Sequence, residues 1–153
     1  MSDVIEGAAA PDFDLETADG RVRLADFAKD AVVLYFYPKD DTTGCTREAQ
    51  DFTALAAEFA AAGVTIIGVS KDTVAKHRKF IAKYDLGVVL ASDPAGEVIE
   101  RYGSWVEKTL YGRQYMGIDR STFLIRNGRI QRVWRKVKVA NHAQNVLDAS
   151  RSS

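Results

Sequence analysis

The sequence predicts an α/β fold: a central mixed sheet flanked by helices, with a β-hairpin at its N-terminal end. Three observations carry this. First, Ala31-Val32-Val33-Leu34-Tyr35-Phe36-Tyr37 is continuously apolar and rich in β-branched and aromatic residues, which suits a strand buried on both faces. Second, Cys45, Ala49, Phe52, Leu55, Ala56 and Phe59 recur at helical spacing, Ala61-Ala62-Gly63 supplies a stop, and the strand-like Val64-Thr65-Ile66-Ile67-Gly68-Val69-Ser70 follows directly. This is a β-α-β unit, whose two strands are parallel and whose crossover is right-handed. Third, Ser121 to Ile125 and Ile130 to Trp134 flank an Asn127-Gly128 pair, the residues that a tight hairpin turn requires.

The other elements follow from the same cues. Phe13 to Leu15 and Val22 to Leu24 flank Asp19-Gly20 and read as the N-terminal hairpin. Thr73 to Tyr84 reads as a second helix with Val74, Phe80, Ile81 and Tyr84 facing inward, and Val88 to Ser92 as a third short strand. Asp93-Pro94 is expected to open a short helix, because proline suits the first helical position. Residues 103 to 118 read as a long loop rich in Gly, Tyr and Trp, a candidate wall for a site. Asn141 to Ser150 adds a last helix. The chain is long enough for one core, so residues 1 to 153 are expected to form a single domain.

Charge and composition exclude several classes. Lys plus Arg and Asp plus Glu both number 21, so no chain-wide field draws the protein to nucleic acid or an anionic membrane. The longest apolar run, Ala31 to Phe36, is about six residues against the roughly 20 that span a bilayer. Met1-Ser2-Asp3-Val4-Ile5-Glu6 lacks the basic and apolar pattern of a signal peptide, so a cytoplasmic location is expected. One cysteine excludes an intrachain disulfide. His77 and His142 lie far from it in sequence and read as surface residues, so no metal cluster is expected.

Cys45 sits where the apolar strand gives way to a helix. A helix N-terminus offers unpaired backbone N–H groups and the positive end of a dipole, and both favour thiolate over thiol. A lone cysteine is more often an inert, small hydrophobe. Its neighbours argue against that here: Pro38 precedes it by seven residues and Thr42 by three. A proline fixes the backbone and shields the site from water, and a threonine hydroxyl is suited to reach an oxygen bound beside the sulfur.

Pro38-x-x-x-Thr42-x-x-Cys45 resembles the active-site signature of the peroxiredoxins. Tyr35-Phe36-Tyr37-Pro38-Lys39-Asp40-Asp41-Thr42 with Gly44-Cys45-Thr46 is similar to the subgroup called peroxiredoxin Q or bacterioferritin comigratory protein. Further anchors are Ala10-Pro11-Asp12-Phe13, Tyr111-Gly112, Tyr115-Met116-Gly117-Ile118 and Arg120-Ser121-Thr122-Phe123-Leu124-Ile125. The resemblance implies a thioredoxin-like fold, no cofactor, and a monomer. It also implies a thiol-dependent peroxidase, in which the Cys45 thiolate attacks the terminal oxygen of hydrogen peroxide or an organic hydroperoxide and becomes a sulfenic acid. Arg120 would lie against the sulfur and the peroxide, with Thr42 hydrogen-bonded in the same cluster and Pro38 shielding it. Trp105, Tyr111, Tyr115 and Met116 would either form an apolar wall that admits organic hydroperoxides or pack the loop onto the core.

For any thiol, a pKa lowered from ~8.5 to ~6 raises the thiolate fraction at pH 7 roughly 30-fold. That is only about 2 kcal/mol of barrier. A lower pKa also weakens each thiolate as a nucleophile, so the rest must come from contacts to the breaking O–O bond.

The chain departs from the subgroup in one respect. Many relatives carry a resolving cysteine five residues after the first, where this chain has Gln50, and others carry it on the second helix, where Thr73 to Tyr84 has none. An external thiol such as thioredoxin, glutaredoxin or glutathione is therefore expected to resolve the sulfenic acid. Position 43 holds threonine where relatives often have proline, which still lets a hydroxyl cap the helix. Dithiol exchange needs a Cys-x-x-Cys that is absent, and a cysteine phosphatase needs an arginine where Asp51 stands. A redox sensor that signals through a mixed disulfide uses the same residues and is the competing reading.

Overall fold

The N-terminal hairpin forms where the Asp-Gly turn predicts it, with β1 (Asp14–Thr17) and β2 (Gly20–Arg23) paired antiparallel. The computed structural model describes residues 4–151, so Met1 to Asp3 of the segment read for a targeting signal lie outside the described residues. β3 (Ala31–Phe36) is buried at every position. It pairs in parallel with β4 (Val64–Ser70) on one edge and antiparallel with β8 (Ser121–Arg126) on the other, with Ala31 opposite Val64 and Arg126. Both edges and both faces of β3 are thus covered, which is why its sequence shows no polar alternation.

The full sheet runs β2-β1-β5-β4-β3-β8-β9, with β5 (Val89–Ser92) parallel to β4 and β9 (Arg129–Trp134) antiparallel to β8. This is the expected mixed sheet. Asn127 and Gly128 both take positive φ, 53° and 75°, in the β8–β9 turn, the conformation that Asn-Gly tolerates with little strain. Alternate residues of β3 feed opposite cores: Val33 and Tyr35 pack with Cys45, Phe52, Phe59 and Val146, whereas Val32, Leu34 and Phe36 pack with Ile99, Tyr102 and Phe123. The first core lies under the helices that carry the site.

The helices depart from expectation in three places. One helix was predicted after β3, but Leu55 adopts φ −102° and ψ 4° and divides it into α1 (Thr43–Ala54) and α2 (Ala56–Ala61). In α3 (Val74–Tyr84) Phe80 is buried and Ile81 and Tyr84 pack half-buried against the same core, as the spacing predicts, and the departure is His77, which is fully buried beside them. α4 (Glu97–Arg101) starts three residues after Pro94, which stays in the preceding turn, with Gly96 as N-cap at φ 76°. The Asp93 carboxylate accepts from the Ile99 N–H at 2.9 Å and so holds that turn.

Residues 103 to 118 are not a loop. β6 (Trp105–Leu110) and β7 (Arg113–Ile118) form a separate two-stranded sheet that turns at Tyr111 and Gly112, with φ 52° and 77°. Tyrosine is an unusual residue at positive φ, so the sequence carried no ordinary turn signal there. Tyr111 is 96% exposed, and Tyr115 and Met116 are about half exposed, at 47% and 49%, so this hairpin does not pack these three side chains onto the core. α5 (His142–Arg151) closes the chain against α1 and α2. No helix among the described residues is long and apolar enough to cross a membrane.

Candidate active site

The segment from Tyr37 to Thr42 carries the chain from β3 into α1 and is tied down by buried polar groups. The Tyr37 hydroxyl donates to Asp40 Oδ1 at 2.5 Å, and His77 Nδ1 lies 2.7 Å from Asp40 Oδ2. His77 Nε2 faces the Ala91 carbonyl at 3.1 Å and therefore carries a hydrogen, because a carbonyl only accepts. The Asp40 N–H donates to Asp72 Oδ2 at 2.8 Å, and Ser70 Oγ donates to the same oxygen at 2.7 Å. Asp41 takes φ 59° and aims its carboxylate at α3, accepting from Lys83 Nζ at 2.8 Å and the Tyr84 hydroxyl at 2.6 Å. The chain thus enters α1 from a fixed direction.

Cys45 is the third residue of α1 and only 2% exposed. No side chain caps the first turn: Thr42 is the N-cap residue, but its hydroxyl donates backward to the Lys39 carbonyl at 2.8 Å, and Thr43 lies inside the helix. The first-turn N–H groups keep their positive field for the sulfur and for any oxygen beside it.

Arg120 reaches this turn from the junction of β7 and β8. Its Nη2 donates to Cys45 Sγ at 3.3 Å and its Nη1 to Glu48 Oε1 at 2.6 Å. Gly44 makes the approach possible, since a Cβ there would stand 3.2 Å from Nη2. Glu48 and Cys45 share one guanidinium, and burial sets the electrostatics. Burial raises the Glu48 carboxyl to about 7 and Arg120 only partly opposes this, while the arginine, although disfavoured by burial, is held more firmly charged by Glu48 and Cys45. Glu48 Oε2 and the hydroxyl of Tyr35 are buried and have no hydrogen-bond partner among the described residues.

Both histidines read as surface residues are in fact buried. His77 is 0% and His142 5% exposed, because each has a polar partner inside: Asp40 for the first, and Thr122 Oγ1 at 2.7 Å from Nε2 for the second. Burial, aided by the charge of Arg120, lowers His142 to about 4, so it packs neutral between Phe52 and Trp134.

The structure therefore brings together Cys45 and Arg120, which lie 75 residues apart in sequence. Pro38 and Thr42 are exposed, Pro38 in the segment before α1 and Thr42 at its N-cap, and the Thr42 hydroxyl bonds to Lys39 rather than within the cluster. Glu48 was missed. Its position one helical turn after Cys45 was legible, but nothing in the sequence showed that an arginine 72 residues on would meet it. Among the described residues no group of His, Cys, Asp or Glu side chains is arranged to hold a metal ion.

Residues 7–133 match the model of the AhpC/TSA family. The chain belongs to that family. Peroxiredoxin Bcp of Bacillus subtilis is 46% identical over 143 residues, covering 92% of this chain and 91% of the relative. Peroxiredoxin Q of Xanthomonas campestris superposes with a TM-score of 0.87 at 44% identity, covering 92% of this chain and 90% of that structure. A bacterioferritin comigratory protein of the same organism, solved as trapped intermediate and ligand complexes, gives a TM-score of 0.87 at 43% identity with the same coverage. This peroxiredoxin is thus of the Bcp or Q type and is a thiol-dependent peroxidase with a thioredoxin-like fold. Its single cysteine means that this chain has no second cysteine to resolve the first, and Gln50 lies exposed on α1.

Proposed function

We propose that this peroxiredoxin reduces hydrogen peroxide and organic hydroperoxides by a one-cysteine mechanism. The observation that carries it is the Arg120 hydrogen bond to Cys45 Sγ at 3.3 Å in an uncapped helix turn. The Cys45 thiolate attacks the terminal oxygen of the hydroperoxide, so that an S–O bond forms as the O–O bond breaks. The leaving oxygen takes a proton and departs as water or an alcohol, and Cys45 becomes a sulfenic acid. Arg120 supports the thiolate and then the oxygen that gains charge, together with the first-turn N–H groups. Pro38 fixes the backbone entering the turn, and the Thr42 hydroxyl, its own hydrogen given to the Lys39 carbonyl, orients the bound peroxide by accepting from it. Alkyl peroxide reduction is described for the Xanthomonas campestris bacterioferritin comigratory protein, in keeping with organic substrates here.

With no second cysteine in the chain, an external thiolate from thioredoxin, glutaredoxin or glutathione attacks the sulfenic sulfur. An S–S bond forms and hydroxide leaves as water; a second thiol then attacks the mixed disulfide, returning the Cys45 thiolate and an oxidised reductant. Cys45→Ser is expected to abolish turnover, and intact mass after one equivalent of peroxide should rise by one oxygen and then shift to a mixed disulfide when thiol is added. Full turnover by Cys45→Ser would overturn the assignment.

A further inference from the structure

Between residues 39–41 and helix α3 lies a cavity of about 220 Å³, lined by Lys39, Lys76, Lys79 and Lys83 with the buried ring of Phe80. Lys76, Lys79 and Lys83 recur at helical spacing and so share one face of α3. The chain as a whole is electrically balanced, with 21 residues of each sign, so this is a local concentration of positive charge.

Asp40, Asp41 and Asp72 also line the cavity, so four lysines face three carboxylates and the excess is one positive charge. Asp40 is engaged by Tyr37 and His77, and Asp72 by Ser70 Oγ and the Asp40 N–H. Asp41 engages Lys83 and Tyr84. Lys39, Lys76 and Lys79 form no ion pair with a carboxylate among the described residues. These three ammonium groups, without an ion-pair partner among the described residues, therefore face a pocket whose walls are lysine stems, an aromatic ring and three carboxylates already engaged by hydrogen bonds, a setting that suits a carboxylate on a short organic chain.

We propose that this cavity binds the carboxylates of the reducing thiol, and that the thiol is a small peptide dicarboxylate of the glutathione kind. The proposal rests on the external-thiol reading above and deepens it. The cavity is near the sulfur along the chain: Asp41, in its lining, lies four positions before Cys45, at most roughly 14 Å of extended backbone. The anchor is also independent of the turn that must admit the thiol. Cys45 is 2% exposed, so residues 43–45 have to move for a bulky nucleophile to reach the sulfur, whereas Asp40 and Asp41 are bonded to α3 and stay in place. The binding energy of the carboxylates is thereby available to hold the thiol beside a turn that opens and closes.

The test compares two thiols on the full chain, at saturating hydrogen peroxide: glutathione, which carries the carboxylates, and 2-mercaptoethanol, which carries none. In Lys76→Gln/Lys79→Gln the ratio of kcat/KM for glutathione to that for 2-mercaptoethanol is expected to fall about tenfold. Added salt should lower the same ratio in the wild type, glutathione diethyl ester should behave as 2-mercaptoethanol does, and Lys76→Arg/Lys79→Arg should restore most of the ratio. A ratio unchanged by the glutamine substitutions, or two thiols that lose activity together, overturns the proposal. Turnover with thioredoxin or glutaredoxin but not glutathione overturns it while leaving the one-cysteine mechanism standing. Failure of every thiol to restore oxidised Cys45 overturns both.

Discussion

Glu48 and Cys45 stand one turn apart on α1 and accept hydrogen bonds from the two terminal nitrogens of the same guanidinium, at 2.6 Å and 3.3 Å. The arginine that supports the sulfur is thus aimed by a carboxylate that also competes for its charge. Glu48→Gln keeps an acceptor for Nη1 and removes the competing anion. Stopped-flow oxidation of Cys45 should then stay within about threefold of the wild type at pH 8, and any inflection near pH 7 that arises from Glu48 should vanish. Glu48→Ala frees the guanidinium and should slow the same step about tenfold or more, roughly 1.4 kcal/mol of barrier. Equal rates in Glu48→Ala and wild type would remove Glu48 from the site.

The same carboxyl shapes stability against pH, and His142 opposes it. Burial raises Glu48 from 4.5 to about 7 in the folded state, so the unfolded chain releases its proton first and stability falls as pH rises through that interval. His142 is depressed from 6.5 to about 4, so the unfolded chain binds a proton first as pH falls, and stability is lost between about 6.5 and 4. Each contribution is of the order of 3 kcal/mol, with opposite sign over nearly the same range. Urea midpoints for the wild type should change little from these two groups between pH 4.5 and 6.5. Glu48→Gln should gain stability as pH rises there, and His142→Asn should lose it. Parallel curves for all three proteins would contradict both assignments.

Two glycines should separate stability from activity. A Cβ on Gly68 would stand 2.6 Å from Tyr35 Cζ and 2.7 Å from its hydroxyl, between two buried, paired strands that have no room to part. Gly68→Ala should cost about 3 kcal/mol in chemical denaturation. A Cβ on Gly44 meets only the flexible end of Arg120, at 3.2 Å. Gly44→Ala should leave the midpoint nearly unchanged yet slow peroxide reduction roughly tenfold, because the guanidinium moves by tenths of an ångström.

The segment before α1 depends on Asp40. Asp40→Ala leaves the Tyr37 hydroxyl without its acceptor and removes the carboxylate beside His77 Nδ1, which should destabilise the fold by about 3 kcal/mol or more. Asp40→Asn retains an oxygen for one of them and should cost less. A midpoint for Asp40→Ala equal to that of the wild type would show that the network does not hold the segment.

How much of this was legible in the sequence depended on the range of the signal. β3, the β-α-β unit and the Asn127-Gly128 hairpin were read correctly because periodicity and turn chemistry act over a few residues. The β6–β7 hairpin was not, because its strands face solvent on much of their surface and its turn places Tyr111 at positive φ. The pairing of Cys45 with Arg120 came from the resemblance of whole motifs, not from spacing. The buried histidines and Glu48 were illegible for a common reason: a polar side chain is stable inside only when its partner arrives, and Asp40, Thr122 and Arg120 come from other elements.

The root of the reactive segment has a consequence for how this molecule ages. β3 is paired on both edges and covered on both faces, and the peptide that bears the sulfur grows directly from its end. Amide hydrogens along such a strand exchange only when the whole molecule opens, so its backbone should be among the last to take up deuterium. Earlier deuterium uptake at residues 43–45 than along this strand is the expected sign of a turn that opens without global unfolding. Repeated catalytic cycles can disturb that turn while leaving the strand that re-forms it intact.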